Sequence, residues 1–321
     1  MQVLLVTKSD DNESVPLVAG ALRARGADPV RLDTDRFPTE VKLALTCSRD
    51  AEATHLIIDG RTIDLADVGS VWWRRLNVAG RLPPSVPAPL RAPSVLESQA
   101  SLYGALQSHR GRFIDRPTTI RAAEVKARQM QEARKLGLDV PRTLTTNDAD
   151  AVRAFAKDIP QGLIVKMLSS FAVHEDGLEK VVFTNEVSAS DLGDLSGLHL
   201  CPMTFQEKLE KQVELRATVV GNRVFVAAVD SQASERARLD WRRDGRALVK
   251  SWKPVELPKD VEAKLVALVA GFGLTYSAAD FILTPDGRCV FLESNPAGEW
   301  FWLQLYAGLP IADALADALV S

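Results

Sequence analysis

Hydrophobic and polar positions in the first third of the chain follow strand and helix periods in turn. Residues 2–7 form an apolar run, residues 14–26 show helical spacing and end at a glycine, and residues 28–33 form a second apolar run. A strand, a helix and a strand in this order predict a βαβ unit with a parallel sheet. A further strand of the same domain is predicted over residues 69–75, GSVWWRR.

A proline-rich segment follows this strand. Because proline lacks a backbone N–H and restricts the residue before it, we expect residues 79–95 to form a loop without regular structure. The prolines concerned are Pro83, Pro84, Pro87, Pro89 and Pro93. Residues 95–109, by contrast, carry a helical pattern.

The rest of the chain also alternates between predicted helices and predicted strands. Helices are predicted from about residue 122 to 136, where Gly137 ends the pattern, and over residues 148–159. Strands are predicted at 162–170, 180–187, 203–210 and 213–232, the last folded about a tight turn at 221–223, and a closing hairpin spans 276–304. We therefore predict an α/β (α+β) fold in three parts, residues 1–113, 114–200 and 201–321.

The closing hairpin carries acidic side chains inside apolar strands. An Asp-Gly pair is a strong signal for a two-residue turn, and a turn at residues 286–287 sets Asp280 opposite Glu293. Since side chains alternate along a strand, Asn295 shares the face of Glu293. The other face is expected to hold Phe281, Leu283, Val290 and Leu292.

These three oxygen-bearing side chains are candidate ligands for a metal ion. Two carboxylates and a carboxamide in an apolar setting repel one another unless a cation neutralises them, and hard oxygen ligands suit Mg²⁺. The alternative is that Asp280 and Glu293 lie at exposed strand ends and that Asn295 belongs to a turn.

Candidate nucleotide contacts lie upstream of the hairpin. Lys166 lies inside an apolar strand, where an unpaired ammonium is costly to bury, so an anion is expected beside it. Lys126 lies near the start of a helix, and residues 205–216 form a strand that runs into a polar link. Such a link can offer a backbone carbonyl and amide to adenine and a carboxylate to ribose. The alternatives are a snorkelling lysine, a solvated lysine and an ordinary charged loop.

Composition narrows the functional class only in part. The 321 residues carry a formal charge of −3, with 25% charged and 46% hydrophobic residues, which is typical of a soluble globular protein and gives no general case for nucleic-acid binding. Three widely spaced cysteines, Cys47, Cys201 and Cys289, favour reduced thiols. No apolar run is long enough to cross a bilayer and no cleavage signal follows the first strand, so we expect a cytoplasmic protein without a membrane partner.

The order of these residues resembles that of the ATP-grasp carboxylate ligases, from about Arg116 to the C-terminus. The resemblance implies an N-terminal α/β pre-grasp domain and two sheet-containing subdomains that grip ATP. It assigns the phosphates of ATP to Lys126 and Lys166, adenine and ribose to Glu207, Lys208, Leu209 and Glu214, and Mg²⁺ to Asp280, Glu293 and Asn295. The loop after Lys166 lacks the glycine-rich character usual in the family, and Ser169 and Ser170 are the expected substitutes.

Three segments narrow the resemblance to the ligases of microviridin-type ribosomal peptides, the graspetides. They are VWWRR, VELRATVVGNRVFVAAVDSQASERARLDWRR and ESNPAGEWFWLQ. This resemblance implies that a ribosomal precursor peptide with a leader and a core is the partner, that its Asp or Glu side chains become acyl phosphates, and that Ser or Thr hydroxyls close ester rings. Asp240 and Arg242 match an element implicated in handling the core peptide. A homodimer is a further implication.

Arg216 has a candidate role of its own. A guanidinium can grip phosphate with two hydrogen bonds, so Arg216 suits an acyl phosphate. The alternative is a strand-edge arginine paired with Glu214. Asp240 and Arg242 also fit a solvated run of mixed charge.

Other interpretations of the activity stay open at this point. An amide-forming graspetide ligase would use a lysine amine of the peptide. A RimK-like ligase would join an amino acid or peptide to a separate peptide or protein, and a catalytically silent relative would only bind nucleotide. Of Arg74 and Arg75, one must point inward, as an ion-pair partner or as a peptide contact. The aromatic residues within 299–304 are expected to pack beneath the strand of Glu293.

Overall fold

The structure is a computed structural model of the chain. It describes residues 1–168 and 184–321, and between them the strands Ala172–Glu175 and Leu178–Val181. Ser169 and Ser170, the residues expected over the phosphates, lie outside the described residues. No helix within the described ranges combines the length and the apolar character that crossing a bilayer requires.

Strands and helices are numbered along the chain. The strands are β1 (Gln2–Thr7), β2 (Asp28–Asp33), β3 (Lys42–Cys47), β4 (Glu52–Ile58), β5 (Arg61–Asp64), β6 (Val68–Trp73), β7 (Arg112–Ile114), β8 (Thr143–Thr146), β9 (Leu163–Lys166), β10 (Ala172–Glu175), β11 (Leu178–Val181), β12 (Asn185–Val187), β13 (Met203–Glu207), β14 (Val213–Val220), β15 (Arg223–Val229), β16 (Lys253–Val255), β17 (Tyr276–Leu283) and β18 (Cys289–Asn295). The helices are α1 (Ser14–Ala24), α2 (Ala88–Ser108), α3 (Pro117–Ala123), α4 (Lys126–Lys135), α5 (Ala149–Lys157), α6 (Ala189–Gly193), α7 (Gly245–Leu248), α8 (Lys259–Gly271), α9 (Phe301–Ala307) and α10 (Ile311–Val320).

The N-terminal part is built on a parallel sheet, as the first apolar runs predict. Its strand order is β2-β1-β6-β7, and α1 connects β1 to β2. A separate antiparallel sheet of β3, β4 and β5 belongs to the same part of the chain. The predicted βαβ start and the mixed α/β class are confirmed.

Helix α2 begins inside the proline-rich segment. The prediction of a loop is wrong from Ala88 onward, because Pro89 lies in the first turn of α2, where a backbone N–H has no acceptor within the helix. Pro93 follows inside the helix and removes one hydrogen bond without ending it. The helical pattern predicted for residues 95–109 is confirmed by the remainder of α2.

The single helix predicted at residues 122–136 is two helices. Helix α3 ends at Ala123, Val125 has an extended backbone, and α4 begins at Lys126. The predicted end is confirmed, since Gly137 has a φ of +79°, the left-handed conformation that commonly terminates helices. The break matters for the site because it makes Lys126 the first residue of its helix.

A second sheet in the order β12-β9-β13-β8 forms the central part of the fold. All its pairs are antiparallel, and β12 pairs with β9 as the predicted hairpin partner. Val152 and Ile159, within and after α5, pack against Leu163 and Phe205 on one face. Because β13 begins at Met203, this sheet extends past residue 200, where the sequence suggests a boundary.

The C-terminal sheet is antiparallel in the order β16-β15-β14-β17-β18. The predicted tight turn joins β14 to β15 through two residues, with Val220 paired to Arg223 and Gly221 at a φ of +62°. Strand β18 lies at the edge, so its outer backbone groups need partners from elsewhere in the chain.

One hydrophobic cluster joins the N-terminal and C-terminal sheets. Leu315 of α10 is fully buried and belongs to the same cluster as Leu5 of β1, Leu22 of α1 and Tyr276 of β17. Each buried leucine of this kind contributes roughly 1.5–3 kcal/mol relative to an exposed one. The cluster therefore fixes the first domain against the sheet that carries the acidic hairpin.

Candidate active site

The loop of the acidic hairpin is longer than its sequence predicts. It spans residues 285–287, and the N–H of Thr284 donates to the carbonyl of Arg288 across it at 3.0 Å. Gly287 has a φ of +88°, which glycine adopts without a steric penalty. The predicted two-residue turn is therefore wrong by one residue.

A β-bulge compensates for that residue before the strands reach the acidic side chains. Phe281 pairs with Phe291, but the next pair inward is Asp280 with Glu293, so Leu292 has no partner of its own. The two one-residue irregularities cancel. The predicted pairing of Asp280 with Glu293 is confirmed, although both steps that lead to it differ from the prediction.

The bulge also changes which apolar side chains face the core. Phe291 packs beside Phe281, with ring centroids 5.5 Å apart, in the position expected for Leu292. Leu292 instead lines the cavity with Ile282. The prediction that Leu292 and Val290 share the face of Phe281 is wrong, because the register pairs Val290 with Ile282.

The side chains of Asp280, Glu293 and Asn295 converge as predicted. Nδ2 of Asn295 lies 3.0 Å from Oε1 of Glu293 and 3.4 Å from Oδ2 of Asp280. Lys126 places its Nζ 2.8 Å from Oε2 of Glu293 and 3.0 Å from Oδ1 of Asn295. We call these four residues the Glu293 cluster. An ammonium already lies among the oxygens that were predicted to bind a cation.

Burial and charge act against each other in this cluster. Burial raises the pKa of Asp280, with the charge of Glu293 adding to the effect and Arg216 opposing it. Burial acts in the same direction on Glu293, but the positive charges of Lys126 and Lys166 outweigh it and hold the pKa of Glu293 well below its usual range. Burial lowers the pKa of Lys166, against the charge of Glu293. The two carboxylates therefore depend on nearby positive charge.

The oxygen donors of the Glu293 cluster fit a hard divalent cation. Within the described ranges, no group of three or more His, Cys, Asp or Glu side chains is placed to hold a metal, so the candidate set is two carboxylates and one amide. Such a set suits Mg²⁺, which usually keeps waters or phosphate oxygens in its other positions. The assignment of these residues as ligands stays a prediction.

Arg216 lies on β14 directly opposite Asp280. Its Nη1 donates to Oδ1 of Asp280 at 2.7 Å and its Nη2 donates to the carbonyl of Glu299 at 3.0 Å, over the ring of Trp302. The alternative pairing with Glu214 is not found. Arg216 is 7% exposed, and among the described residues its buried Nε has no hydrogen-bond partner. A buried guanidinium with a free donor is suited to an anionic ligand.

Lys166 approaches the cavity from the central sheet. It is the last residue of β9, and its Nζ lies 3.5 Å from Oε1 of Gln206 on β13. Gln206 in turn donates to Oγ1 of Thr143 at 3.0 Å. Gln206 is uncharged, and its distance from Nζ is at the long limit of a hydrogen bond. An anion would therefore be a stronger partner for the ammonium of Lys166.

The predicted hinge is anchored at its start by main-chain hydrogen bonds. The N–H of Glu207 donates to the carbonyl of Arg142 at 3.0 Å, and the N–H of Lys208 donates to that of Gly162 at 2.9 Å. The carboxylate of Glu207 accepts the N–H of Arg142 and the amide of Gln161, at 2.9 and 3.0 Å. The side chain of Glu207 therefore holds the link in place, and Leu209 follows on the cavity wall.

Glu214 is buried and already has a cationic partner. Lys211 donates to Oε1 of Glu214 at 2.9 Å and to the carbonyl of Leu239 at 2.9 Å. This pair joins the hinge to the loop that carries Asp240. In the part of the chain that the structure describes, the only side-chain donor to Glu214 is Lys211, so its second carboxylate oxygen is open to a further donor.

Asp240 and Arg242 form a fork rather than a solvated charge run. Nε and Nη2 of Arg242 donate to the two oxygens of Asp240 at 2.8 and 2.7 Å. Asp240 is buried, whereas 57% of the Arg242 side chain is exposed. The hydrogen bonds from Arg242 outweigh burial and lower the pKa of Asp240. Trp241, which lies between them in sequence, packs against Trp302, with ring centroids 5.6 Å apart.

A second cluster, which the sequence left undecided, joins the N-terminal sheet to this site. Buried Arg74 donates to both oxygens of Asp11, at 2.7 and 3.1 Å, and to Oε2 of Glu299 at 2.6 Å. Asn12 donates to the same oxygen of Glu299 at 2.5 Å, and Arg75 donates to the other. We call these residues the Glu299 cluster. Arg74 is thus the inward arginine, and it is an ion-pair partner.

The aromatic residues after the hairpin pack as expected. Trp300 is fully buried, and Trp302 is 6% exposed beneath Arg216. Gly298 allows this arrangement, because a Cβ there would lie 2.7 Å from Cβ of Ala278 and 2.8 Å from Nη2 of Arg216. The backbone of the loop after β18 therefore approaches Arg216 as closely as only glycine permits.

All the predicted site residues line one cavity of about 1190 Å³ between the central and C-terminal sheets. They are Lys126, Lys166, Glu207, Lys208, Leu209, Glu214, Arg216, Asp240, Arg242, Asp280, Glu293 and Asn295. The sequence indicated an ion pair for Arg74 or Arg75 as one alternative but missed its acceptors, Glu299 and Asp11. It also missed Gln129, a helix residue that is fully buried against β18.

Comparison with solved structures places the whole chain in one family. The macrocyclase MdnC bound with precursor peptide MdnA, from Microcystis aeruginosa MRC, is 42% identical with a TM-score of 0.88, and the match covers 100% of this chain and 99% of that one. A RiPP-associated ATP-grasp ligase from Chryseobacterium gregarium, in complex with ADP and a leader and core peptide, is 35% identical with a TM-score of 0.95, covering 99% and 96%. The macrocyclase MdnB from M. aeruginosa MRC is 35% identical with a TM-score of 0.80, covering 99% of each chain.

The N-terminal part also matches a family model. The MvdD pre-ATP grasp domain corresponds to residues 2–121. Comparison with curated proteins gives no match. The predicted ATP-grasp fold with an N-terminal pre-grasp domain is confirmed. The chain belongs to the RiPP-associated ATP-grasp ligases, the graspetide ligase family that includes the macrocyclases MdnC and MdnB.

Proposed function

We propose that the protein is an ATP-dependent macrocyclase that activates Asp or Glu side chains of a ribosomal precursor peptide and closes ester rings with Ser or Thr. The observation that carries this proposal is the meeting of Lys126, Lys166 and Arg216 with Asp280 and Glu293 in one cavity. At about 1190 Å³ this cavity exceeds the roughly 300–1,000 Å³ typical of small-molecule sites. That size leaves room for a peptide segment beside a nucleotide.

The relatives support this assignment of partners. MdnC is described as a macrocyclase and is bound with a precursor peptide, and the C. gregarium ligase holds ADP with a leader and a core peptide. We infer that this chain likewise uses ATP, with Mg²⁺ as its metal, and acts on a precursor peptide. Its partner is thus a peptide with a leader and a core.

The hinge offers a specific arrangement for the nucleoside. Because the N–H groups of Glu207 and Lys208 already donate to protein carbonyls, adenine would be met by the carbonyl of Glu207 and the amide of Leu209. Glu214 keeps one carboxylate oxygen free of Lys211 for a ribose hydroxyl. The selectivity for a nucleoside would then depend on the backbone of the hinge and on the carboxylate of Glu214.

The phosphates would lie between the lysines. Lys126 and Lys166 approach from α4 and from β9, and both act on Glu293 through their charge. Mg²⁺, when bound by Asp280, Glu293 and Asn295, supplies positive charge that offsets the phosphate oxygens. Phosphoryl transfer depends mainly on such positioning and electrostatic stabilisation.

The chemistry then proceeds in two balanced steps. A carboxylate oxygen of the peptide attacks the γ-phosphorus of ATP, the bond from that phosphorus to the bridging oxygen breaks, and ADP leaves an acyl phosphate behind. A Ser or Thr hydroxyl oxygen then attacks the acyl carbon, gives up its proton and expels inorganic phosphate, which leaves an ester. Arg216, whose buried Nε has no hydrogen-bond partner within the described ranges, would hold the acyl phosphate.

Asp240 and Arg242 would contact the core peptide. The buried carboxylate of Asp240 fixes the guanidinium of Arg242 through two hydrogen bonds, and more than half of the Arg242 side chain stays exposed. An arginine fixed in this way can bind a peptide carboxylate without losing much conformational entropy.

The proposal is tested with the purified protein, ATP, Mg²⁺ and synthetic precursor peptides chosen from short reading frames near its gene that carry Ser or Thr together with Asp or Glu. We expect ADP and a peptide that loses one water per ring, with rings that open in mild base because they are esters. Rings that resist mild base would assign amide chemistry and contradict the ester. A gain in mass would assign ligation of separate molecules, and absence of ADP would contradict the activity as a whole.

A further inference from the structure

Gln129 makes an unusual set of contacts for a helix residue. It lies one turn after Lys126 on α4 and is 1% exposed. Its Nε2 donates to the carbonyl of Ala123 at 2.6 Å and to the carbonyl of Ser294 at 2.7 Å. Its Oε1 accepts the N–H of Ser294 at 3.0 Å. One side-chain amide thus pairs both main-chain groups of one strand residue.

The position of Ser294 gives these bonds their consequence. Ser294 stands between Glu293 and Asn295 on β18, the edge strand of its sheet, so its outward N–H and carbonyl have no neighbouring strand. Gln129 takes the place of that strand. Because the residues on both sides of Ser294 belong to the Glu293 cluster, fixing its backbone fixes the direction of both their side chains.

The same helix delivers Lys126 to those side chains. Lys126 begins α4 without a side-chain cap, directly after the break at Val125. Gln129 attaches α4 to β18 and also binds the carbonyl of Ala123 at the end of α3. Gln129 therefore ties the helix that carries Lys126 to the strand that carries Glu293.

We propose that Gln129 is a positioning residue, which sets Lys126 and the Glu293–Asn295 segment in register for the phosphates of ATP. This inference rests on the proposed function of the cavity. A neutral amide is required, because the pairing needs donors to two carbonyls and an acceptor for one N–H. Glutamate would place an acceptor against the carbonyls of Ala123 and Ser294, and methionine would leave both groups of Ser294 unpaired.

The test compares Gln129→Met with Gln304→Met in the full-length protein. Gln304 is a matched control, since its Oε1 accepts the main-chain N–H of Ala312 at 2.8 Å outside the cavity. We expect Gln129→Met to lower kcat/KM for ATP by about tenfold to a hundredfold, the range seen when a residue that orients metal-site groups is lost. KM for the precursor peptide should stay near the wild-type value, and Gln304→Met should leave both constants unchanged.

A double-mutant cycle then asks whether Gln129 acts through Lys126. If it does, Gln129→Met lowers kcat/KM for ATP by a clearly smaller factor once Lys126 is replaced by Met, and the remaining effect reports the Glu293–Asn295 segment. Effects that multiply in full, or equal effects of the two glutamine variants, overturn the proposal. If Gln129→Met does not fold, Gln129→Glu decides instead, because it keeps the size of the side chain and the acceptor for Ser294.

A second readout needs no turnover. Reductive methylation of Lys126, followed by mass spectrometry of the protein without nucleotide, should be faster in Gln129→Met than in the wild type and unchanged in Gln304→Met. Unchanged methylation of Lys126 in Gln129→Met contradicts the inference. Absence of ATP turnover in the wild type contradicts the proposed function instead, so the two failures are distinguishable.

Discussion

Two glutamates on either side of Pro296 have similar surroundings and different partners. The side chains of Glu293 and Glu299 are 25% and 29% exposed, and cationic groups lower the pKa of both against the opposing effect of burial. Glu293 meets Lys126 and an amide inside the cavity. Glu299 meets two arginines and an amide from the N-terminal sheet, and Arg74 is 3% exposed.

The difference teaches how one short segment can serve both chemistry and architecture. A lysine is a flexible point charge that can turn from a carboxylate to a phosphate, whereas an arginine held by several hydrogen bonds stays in place. The Glu293 cluster is thus able to exchange partners, and the Glu299 cluster is built to keep them. The carbonyl of Glu299 also accepts a hydrogen bond from Arg216, so the fixed position of Glu299 helps to hold Arg216 in place. Four substitutions test this contrast.

The largest effect is expected from Arg74→Met. It leaves buried Asp11 and half-buried Glu299 without their main cation, so the free energy of unfolding should fall by about 3–5 kcal/mol. Urea unfolding measures the loss. Arg75→Met is the control, because Arg75 is 34% exposed and its pair with Glu299 should contribute only about 0–1 kcal/mol. Equal losses in the two variants would remove the distinction between buried and exposed arginine.

Glu293→Gln should affect activity more than it affects stability. Loss of one carboxylate at the position where charge is stabilised should lower peptide-dependent ADP formation by about 10²–10³-fold, or about 2.7–4 kcal/mol. The free energy of unfolding should fall by less than in Arg74→Met, since Lys126 can turn to solvent in the cavity. Glu262→Gln on the surface of α8 is the control. Normal turnover in Glu293→Gln would show that the metal assignment is wrong.

Glu299 should contribute to the loss of folding stability at acidic pH. Its pKa in the folded protein lies below the ordinary value of 4.5, so its contribution is present above about pH 4.5 and is lost as the pH falls through the folded pKa. Glu299→Gln should lower stability by about 1.5–3 kcal/mol near neutral pH, the range for hydrogen bonds to a charged group. Unfolding measured from pH 7 to pH 3 should show the difference shrinking. A constant difference would contradict the lowered pKa.

The smallest effect is expected from Asp240→Asn. The amide can accept only part of the Arg242 fork, which loses a charge-assisted hydrogen bond of about 1.5 kcal/mol, so KM for the peptide should rise about tenfold. KM for ATP should stay the same. Asp244→Asn is the control in the same loop, because Asp244 binds Ser234 and does not line the cavity. A change in KM for ATP alone would indicate that Asp240 and Arg242 act on the nucleotide and not on the peptide.

Much of the fold and the site follows from local signals in the sequence. The parallel N-terminal sheet follows from apolar runs, and the pairing at Glu293 was predicted from a two-residue turn that the structure replaces by a longer loop and a bulge. The α2 segment was mispredicted because proline is tolerated in the first turn of a helix, which the count of prolines does not reveal. Local patterns predict elements well where one face is buried.

What the sequence did not predict depends on distant partners. Arg74 and Glu299 are 225 positions apart, and no periodicity connects them. Gln129 looks like a polar residue of an exposed helix, and only the edge of β18 explains its burial. Buried polar groups are placed by partners that only the folded chain brings together.

The acidic hairpin has a consequence for insertions and deletions. Exposed loops usually tolerate changes in length, and here the loop is closed by the pair of Thr284 and Arg288. A deletion of one loop residue would leave a two-residue turn closed by the same pair, so Asp280 would stay opposite Glu293. The surface loop can therefore vary in length without disturbing the acidic pair, whereas a one-residue shift within the strands would turn Asp280 or Glu293 toward Phe281 in the core.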